Sequence, residues 1–137
     1  MTIVNPSRDE IREILKKSRR IAVVGLSDNH ERTSYMVSEA MQNVGYEIIP
    51  VNPHVTEVLG VKAVASLKEI EGHVDIVNVF RRSEFLQDVA KEFLEINADV
   101  LWSQLGVEDE VAYQLVSEKG HTVIMNRCIK VEHALTK

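Results

Sequence analysis

Two hydrophobic periods take turns along the chain. The short runs RIAVVGL, YEIIPVNP, HVDIVNVF, ADVLWSQLG and HTVIMN are mostly apolar and lack strict polar alternation. That is the mark of strands buried on both faces. Between them lie longer stretches whose apolar residues recur every three or four positions, the spacing of helices with one buried side. After Pro6, SRDEIREILKKS opens with Ser7 and carries Glu10 three residues on, a capping-box pattern, with Ile11, Ile14 and Leu15 on one face and Lys16 and Lys17 at the end. Residues 33–44 form the next helix, with Tyr35, Val37, Ala40, Met41 and Val44 near one side, Thr33 or Ser34 as cap and Gly45 as stop.

Loop sequence follows Pro53 as far as Gly60, and Ser66 with Glu69 suggests a second capping box over one short turn. SEFLQDVAKEFLEI is a strongly amphipathic helix that buries Phe85, Leu86, Val89, Phe93 and Leu94. Residues 108–119 and IKVEHALTK supply two more helices. Strands alternating with helices of this length imply βαβ units and a parallel sheet covered on both faces. The expectation is therefore an α/β fold, one Rossmann-like three-layer domain over residues 1–137. Its five-stranded parallel sheet is expected in the order 3-2-1-4-5, with 2-1-3-4-5 as the nearest competitor.

Composition narrows the partners. Apolar residues make up 45% and charged residues 27%, as in ordinary globular domains. Sixteen basic against 21 acidic side chains leave a net charge of −5 with no basic tail, which argues against nucleic-acid binding through phosphates. A small anion can still be held by a few local donors. No apolar run reaches the roughly 20 residues that span a bilayer, and MTIVNPSRDE has no secretory h-region. The lone Cys128 excludes an internal disulfide, so a cytoplasmic, membrane-free protein is expected. A protein partner or homo-oligomer is not readable.

Ligands of such sheets lie beyond the carboxyl ends of the strands. Those ends carry Gly25-Leu26-Ser27 with the loop to Tyr35, Val51-Asn52-Pro53, Phe80-Arg81-Arg82, Trp102 to Gly106, and Asn126-Arg127-Cys128. Gly25 permits a tight turn and close approach to a ligand. Ser27, Arg32, Ser34 and the first amides of the next helix suit a phosphate or pyrophosphate. Where dinucleotide sites place an acid for the adenosine ribose, this chain has Asn52-Pro53, which disfavours NAD. Arg81 and Arg82 suit a ligand with several negative charges, or else a solvated loop paired with acids such as Glu84.

Taken in order, VVGLS, ERTSY, IIPVNP, DIVNVFRRSE, WSQLG and MNRCIKVEH resemble the small stand-alone CoA-binding domain proteins, relatives of the CoA-binding domain in the α subunit of succinyl-CoA synthetase. The similarity runs from about Ile11 to His133. It implies a Rossmann-like fold that binds coenzyme A or an acyl-CoA at the carboxyl edge. Carried onto this chain, Gly25 and Ser27 would sit at the pyrophosphate, and Arg32, Ser34 and Tyr35 would line the same groove. Asn52 and Pro53 would border the nucleotide, flanked by Phe80 and Arg81, with Arg82 a further phosphate partner. Gln104 and Gly106 would lie along the pantetheine side.

No counterpart of the synthetases' catalytic histidine segment is present, so the resemblance supports binding, as a carrier, sensor or regulator, and not ligase activity. The alternatives are an NAD(P)-binding protein or small oxidoreductase, and an accessory subunit of an acyl-CoA ligase. No catalytic residue and no metal site is expected. None of the five histidines, His30, His54, His73, His121 and His133, has the i, i+4 spacing of a metal motif. Only His30 stands in the phosphate loop. Cys128 reads as a small apolar residue, Trp102 as core, and Glu108-Asp109-Glu110 as a helix start.

Overall fold

The computed structural model describes residues 2–137. Strands β1 (Arg20–Val24), β2 (Glu47–Val51), β5 (Val74–Val79), β6 (Ala98–Ser103) and β7 (Thr122–Ile124) form one parallel sheet in the order β2-β1-β5-β6-β7. Between β2 and β5 the chain folds a two-residue hairpin, β3 (Glu57–Val58) against β4 (Val61–Lys62), where sequence reading expects only loop. Just past it, Val64 makes a parallel bridge to Val51 on the outer side of β2. Its amide donates to Pro50 O, and its carbonyl accepts from Asn52 N.

That bridge decides how the order is counted. With the Val64 rung as the third strand, the sheet follows the expected Rossmann-like 3-2-1-4-5 pattern, with β7 added as a sixth position. On the five long strands alone it would be numbered 2-1-3-4-5. HVDIVNVF, beside β1, is then the fourth strand of the pattern, ADVLWSQLG the fifth and HTVIMN the sixth, and the third is reduced to one rung. A single bridge carries no hydrophobic run, so periodicity could not reveal it.

Successive strand residues face opposite sides, and each side meets a helical layer. Ile21 and Val23 pack with Ile11, Leu15, Met41 and Ile129, from α1 (Arg8–Lys17), α2 (Thr33–Asn43) and α5 (Ile129–Thr136). Ala22 and Val24 pack on the other face with Leu86, Val89, Phe93 and Val116, from α3 (Leu86–Phe93) and α4 (Glu110–Ser117). Trp102 is fully buried, and its indole N–H donates to Arg127 O at 2.9 Å.

The helix starts differ in how well sequence foretold them. Ser7 and Glu10 form the expected capping box on α1. Asp109, from the expected acidic helix start, caps α4 through Ala112 N. The turn at Leu67–Glu69 is half a box: Ser66 caps Lys68 N, but its hydroxyl donates to Glu92 Oε1 on α3 rather than engaging Glu69. Neither Thr33 nor Ser34 caps α2, because Arg32 holds the cap position with no side-chain hydrogen bond. Ser34 Oγ instead accepts the amide of Ser27, seven residues back.

Where β1 ends, Gly25 turns with φ +86° and donates its amide to Val51 O at 2.9 Å. Phe80 N donates to Val24 O at 2.9 Å on the other side. A Cβ at Gly25 would lie 2.7 Å from Phe80 O and 3.2 Å from Arg81 Cγ. The missing side chain thus admits the protein's own neighbouring strand. Gly25→Ala forces both a left-handed alanine and a backbone clash, so we expect it to cost at least about 1–2 kcal/mol. Urea unfolding reads this as a lowered midpoint. An unchanged midpoint would show that β1 and β5 do not need this close passage.

Candidate functional site

The registers Val24↔Val51 and Val24↔Val79 bring the carboxyl ends of β1, β2 and β5 level. The loops leaving them surround a cleft of about 400 Å3. Six expected site residues line it together: Gly25 from β1, Asn52 and Pro53 from β2, and Phe80, Arg81 and Arg82 from β5. The far wall comes from Ser66, Phe85, Asp88 and Glu92, and His54 stands at the β2 end. Sequence reading expects none of these five at the site.

Phe85 is the most informative of them. The periodicity assigns it to the buried face of a continuous helix, but Ser83–Phe85 is a tighter 3₁₀ turn ahead of α3. That change of pitch leaves Phe85 half-buried at the cleft. Arg81 lays its guanidinium 4.2 Å from the ring centroid, and Arg82 lies at 5.4 Å. Arg82 also pairs with Glu84, Nε to Oε1 at 3.1 Å, whereas Arg81 has no ion pair among the described residues. An aromatic three residues past an arginine pair is the signal that could have found this platform. A guanidinium over a ring keeps its N–H edge free for an anion.

The loop from β1 into α2 is braced by its own side chains. Ser27 Oγ accepts from Asn29 N at 3.0 Å, Asn29 Oδ1 from Glu31 N at 2.9 Å, and Ser34 Oγ from Ser27 N at 3.0 Å. Each serine acts here as acceptor and keeps a hydroxyl proton to donate. The first turn of α2 holds no acidic residue; Tyr35 N and Met36 N donate to Arg32 O, which leaves the amides of Thr33 and Ser34 without a partner among the described residues. Arg32 is exposed, and Tyr35 is buried with its ring stacked on His30 at 4.3 Å and 15°. Ser27, Arg32, Ser34 and Tyr35 therefore form a second group, beyond the cleft lining but continuous with it through Gly25.

Asn52 ties the two groups. Its Nδ2 donates to Leu26 O at 3.0 Å, and its Oδ1 accepts from His54 N at 2.9 Å. The two remaining expected residues stand apart from the cleft. Gln104 is buried and donates Nε2 to Asn78 Oδ1 at 2.7 Å inside the sheet. Gly106 sits on an exposed turn at φ +81°, with its amide on Asn126 Oδ1 at 2.7 Å.

Other polar groups of interest lie elsewhere. Cys128 is half-buried against the α1/α2/α5 core and occupies the cap position of α5. His73 sits between Asp99, at 2.9 Å, and Asp75, at 3.6 Å, on the opposite edge of the sheet. Asp75 there accepts the amides of Arg19 and Arg20, at 2.7 and 2.9 Å, which fastens the entry of β1 to β5. Among the described residues no helix is long and apolar enough to cross a membrane.

A family model described as CoA binding domain matches residues 19–134. The uncharacterized protein YneT of Bacillus subtilis (strain 168) is 68% identical over 133 residues, 97% of this chain and 98% of that protein. The α subunit of an ADP-forming acetate–CoA ligase II from Pyrococcus furiosus is 36% identical over 75 residues, 54% of this chain but 16% of that subunit. Among solved structures, cell-free ID.343 from Thermus thermophilus superposes with a TM-score of 0.93 at 32% identity, covering 96% of this chain and 100% of that one. With a family model spanning most of its length and a full-length relative, the chain belongs to the CoA-binding domain family.

Proposed function

We propose that this protein binds coenzyme A or an acyl-CoA at the carboxyl edge of its sheet and acts as a non-catalytic carrier, sensor or regulator. The observation that carries the reading is the cleft in which Gly25, Asn52-Pro53 and Phe80-Arg81-Arg82 converge around an arginine stacked on Phe85. A volume near 400 Å3 suits the nucleotide end of such a ligand, with the pantetheine arm running out of the cleft. The pyrophosphate would meet the α2 start through Ser27, Ser34 and the leading amides. Arg81 would take a further phosphate with its free N–H edge. Arg32, Tyr35, Gln104 and Gly106 remain proposed contacts for the rest of the ligand, Gln104 through its surroundings rather than its buried amide.

Charge and hydrogen bonding both favour this reading over NAD. The β2 end offers the ribose diol no carboxylate, and both ends of the Asn52 side chain are already engaged. Glu92, one of two wall carboxylates with the exposed Asp88, is likewise committed to Ser66 Oγ and Leu67 N. It holds the wall in place rather than standing free as a base. A second reading, service as an accessory subunit to an acyl-CoA ligase, draws support from the similarity to part of the ADP-forming ligase subunit. Cytoplasmic residence and a one-domain organisation over residues 1–137 belong to the same proposal.

Thermal denaturation with CoA, acetyl-CoA, NAD, NADP and ATP tests the ligand class. We expect CoA and acetyl-CoA to raise Tm with increasing concentration above their Kd. Stabilisation by NAD and none by CoA would overturn the reading. Replacing the pair, Arg81→Ala with Arg82→Ala, is expected to weaken CoA binding at least about tenfold in calorimetric titration, roughly 1.4 kcal/mol. Most of that loss should come from Arg81, because Arg82 is partly neutralised by Glu84. Unchanged affinity would remove both arginines from the site.

A further inference from the structure

At the amino edge of the sheet, opposite the CoA cleft, the C-terminal ends of α1, α2 and α5 surround a second cavity of about 260 Å3. Its lining includes Arg12, Lys16, Arg19 and His133 and not one acidic side chain, in a chain whose acids outnumber its bases. Cations at helix C-termini are ordinarily explained by the carbonyls and negative dipole ends there. Here several of those carbonyls are already answered. Ile14 O accepts the amide and hydroxyl of Ser18, at 3.1 and 2.6 Å. Leu15 O accepts the Tyr46 hydroxyl at 2.6 Å, and burial raises the pKa of that hydroxyl and keeps it a donor. Met41 O and Gln42 O take the amides of Tyr46 and Gly45, at 3.2 and 3.0 Å.

The neighbouring acids are spoken for as well. Glu132 is buried against Arg8 at 3.5 Å, Glu47 pairs with Arg20 at 2.9 Å, and Asp9 meets Arg12 at 3.3 Å. Arg12 is held in place by its Nε bond to Thr136 O at 2.6 Å, and the backbone of Arg19 by Asp75. Lys16 and Arg19 have no ion pair and no side-chain hydrogen bond among the described residues. Two unpartnered cations, one oriented guanidinium and a histidine thus face one cavity with no acidic side chain in its lining.

From this arrangement we infer that the amino-edge cavity is a second anion site. It takes a small oxyanion with two or more negative charges, a polyphosphate or a polycarboxylate. Fork geometry at Arg19 matches phosphate or carboxylate oxygens, Arg12 keeps its Nη2 donors beyond the bonds to Thr136 and Asp9, and Lys16 adds a point charge. The site is independent of the CoA reading, since it shares no lining residue with the carboxyl-edge cleft.

Calorimetric titration of the full chain with pyrophosphate, and separately with citrate, tests the inference at moderate ionic strength, where diffuse charge attraction is screened. Saturable binding of either anion is expected, and which one binds tells phosphate from carboxylate chemistry. The exposed pair Lys16→Glu with Arg19→Glu should weaken it at least about tenfold, and the charge-removing pair Lys16→Gln with Arg19→Gln by a smaller factor. The double variant Arg81→Ala with Arg82→Ala should leave it within about twofold. Absence of saturable binding for both anions would overturn the inference. So would binding that survives Lys16→Gln with Arg19→Gln in a protein whose melting is unchanged, or that is lost with Arg81 and Arg82.

Discussion

The close passage of Gly25 against the Phe80 carbonyl is the constraint on which the functional edge depends. One residue must leave β1 with a positive φ, bond sideways to β2 and clear the backbone of β5. Only glycine does this without displacing Phe80 O. Because the three strand ends are locked level there, the loops that leave them open onto one volume. The cleft follows from that crossing, and the loops around it are held by the strand ends together with their own side-chain hydrogen bonds.

Electrostatics work locally on this protein. The net charge of −5 repels a polyanion at long range, but screening removes most of that at ordinary ionic strength. At contact, the proposed recognition rests on a few groups: the acid-free start of α2, the donors of Ser27 and Ser34, and Arg81 above Phe85. Distributed acidity and concentrated basicity can coexist in one small chain. The amino edge repeats the pattern, with Lys16 and Arg19 left unpaired while nearby acids are consumed in ion pairs.

Much of the fold was legible because burial on two faces writes itself as uninterrupted apolar runs. RIAVVGL and ADVLWSQLG locate β1 and β6, and the Ser7–Glu10 box locates the start of α1. The hairpin at residues 57–62 and the rung at Val64 were not legible, since elements of one or two residues have no period. Side-chain commitments were hidden for a different reason. That Ser34 receives Ser27 N, that Asn52 bridges to Leu26 O, and that Gln104 turns inward to Asn78 all depend on tertiary neighbours. Phe85 was misassigned because a single 3₁₀ turn shifts the phase of an otherwise sound helical pattern. Six of the expected residues share the cleft and four more lie on the adjoining loop and the first turn of α2, so strand-end position was the strongest guide.

The central claim is that a coenzyme A ligand occupies the carboxyl-edge cleft. The most direct measurement is a ¹⁵N–¹H correlation spectrum of the full chain titrated with CoA. The account predicts saturable shifts at the amides of Gly25 to Tyr35, Asn52, His54 and Phe80 to Phe85, with the α4 helix unmoved. No saturable shifts, or shifts confined to the amino edge around Lys16, Arg19 and Tyr46, would contradict it.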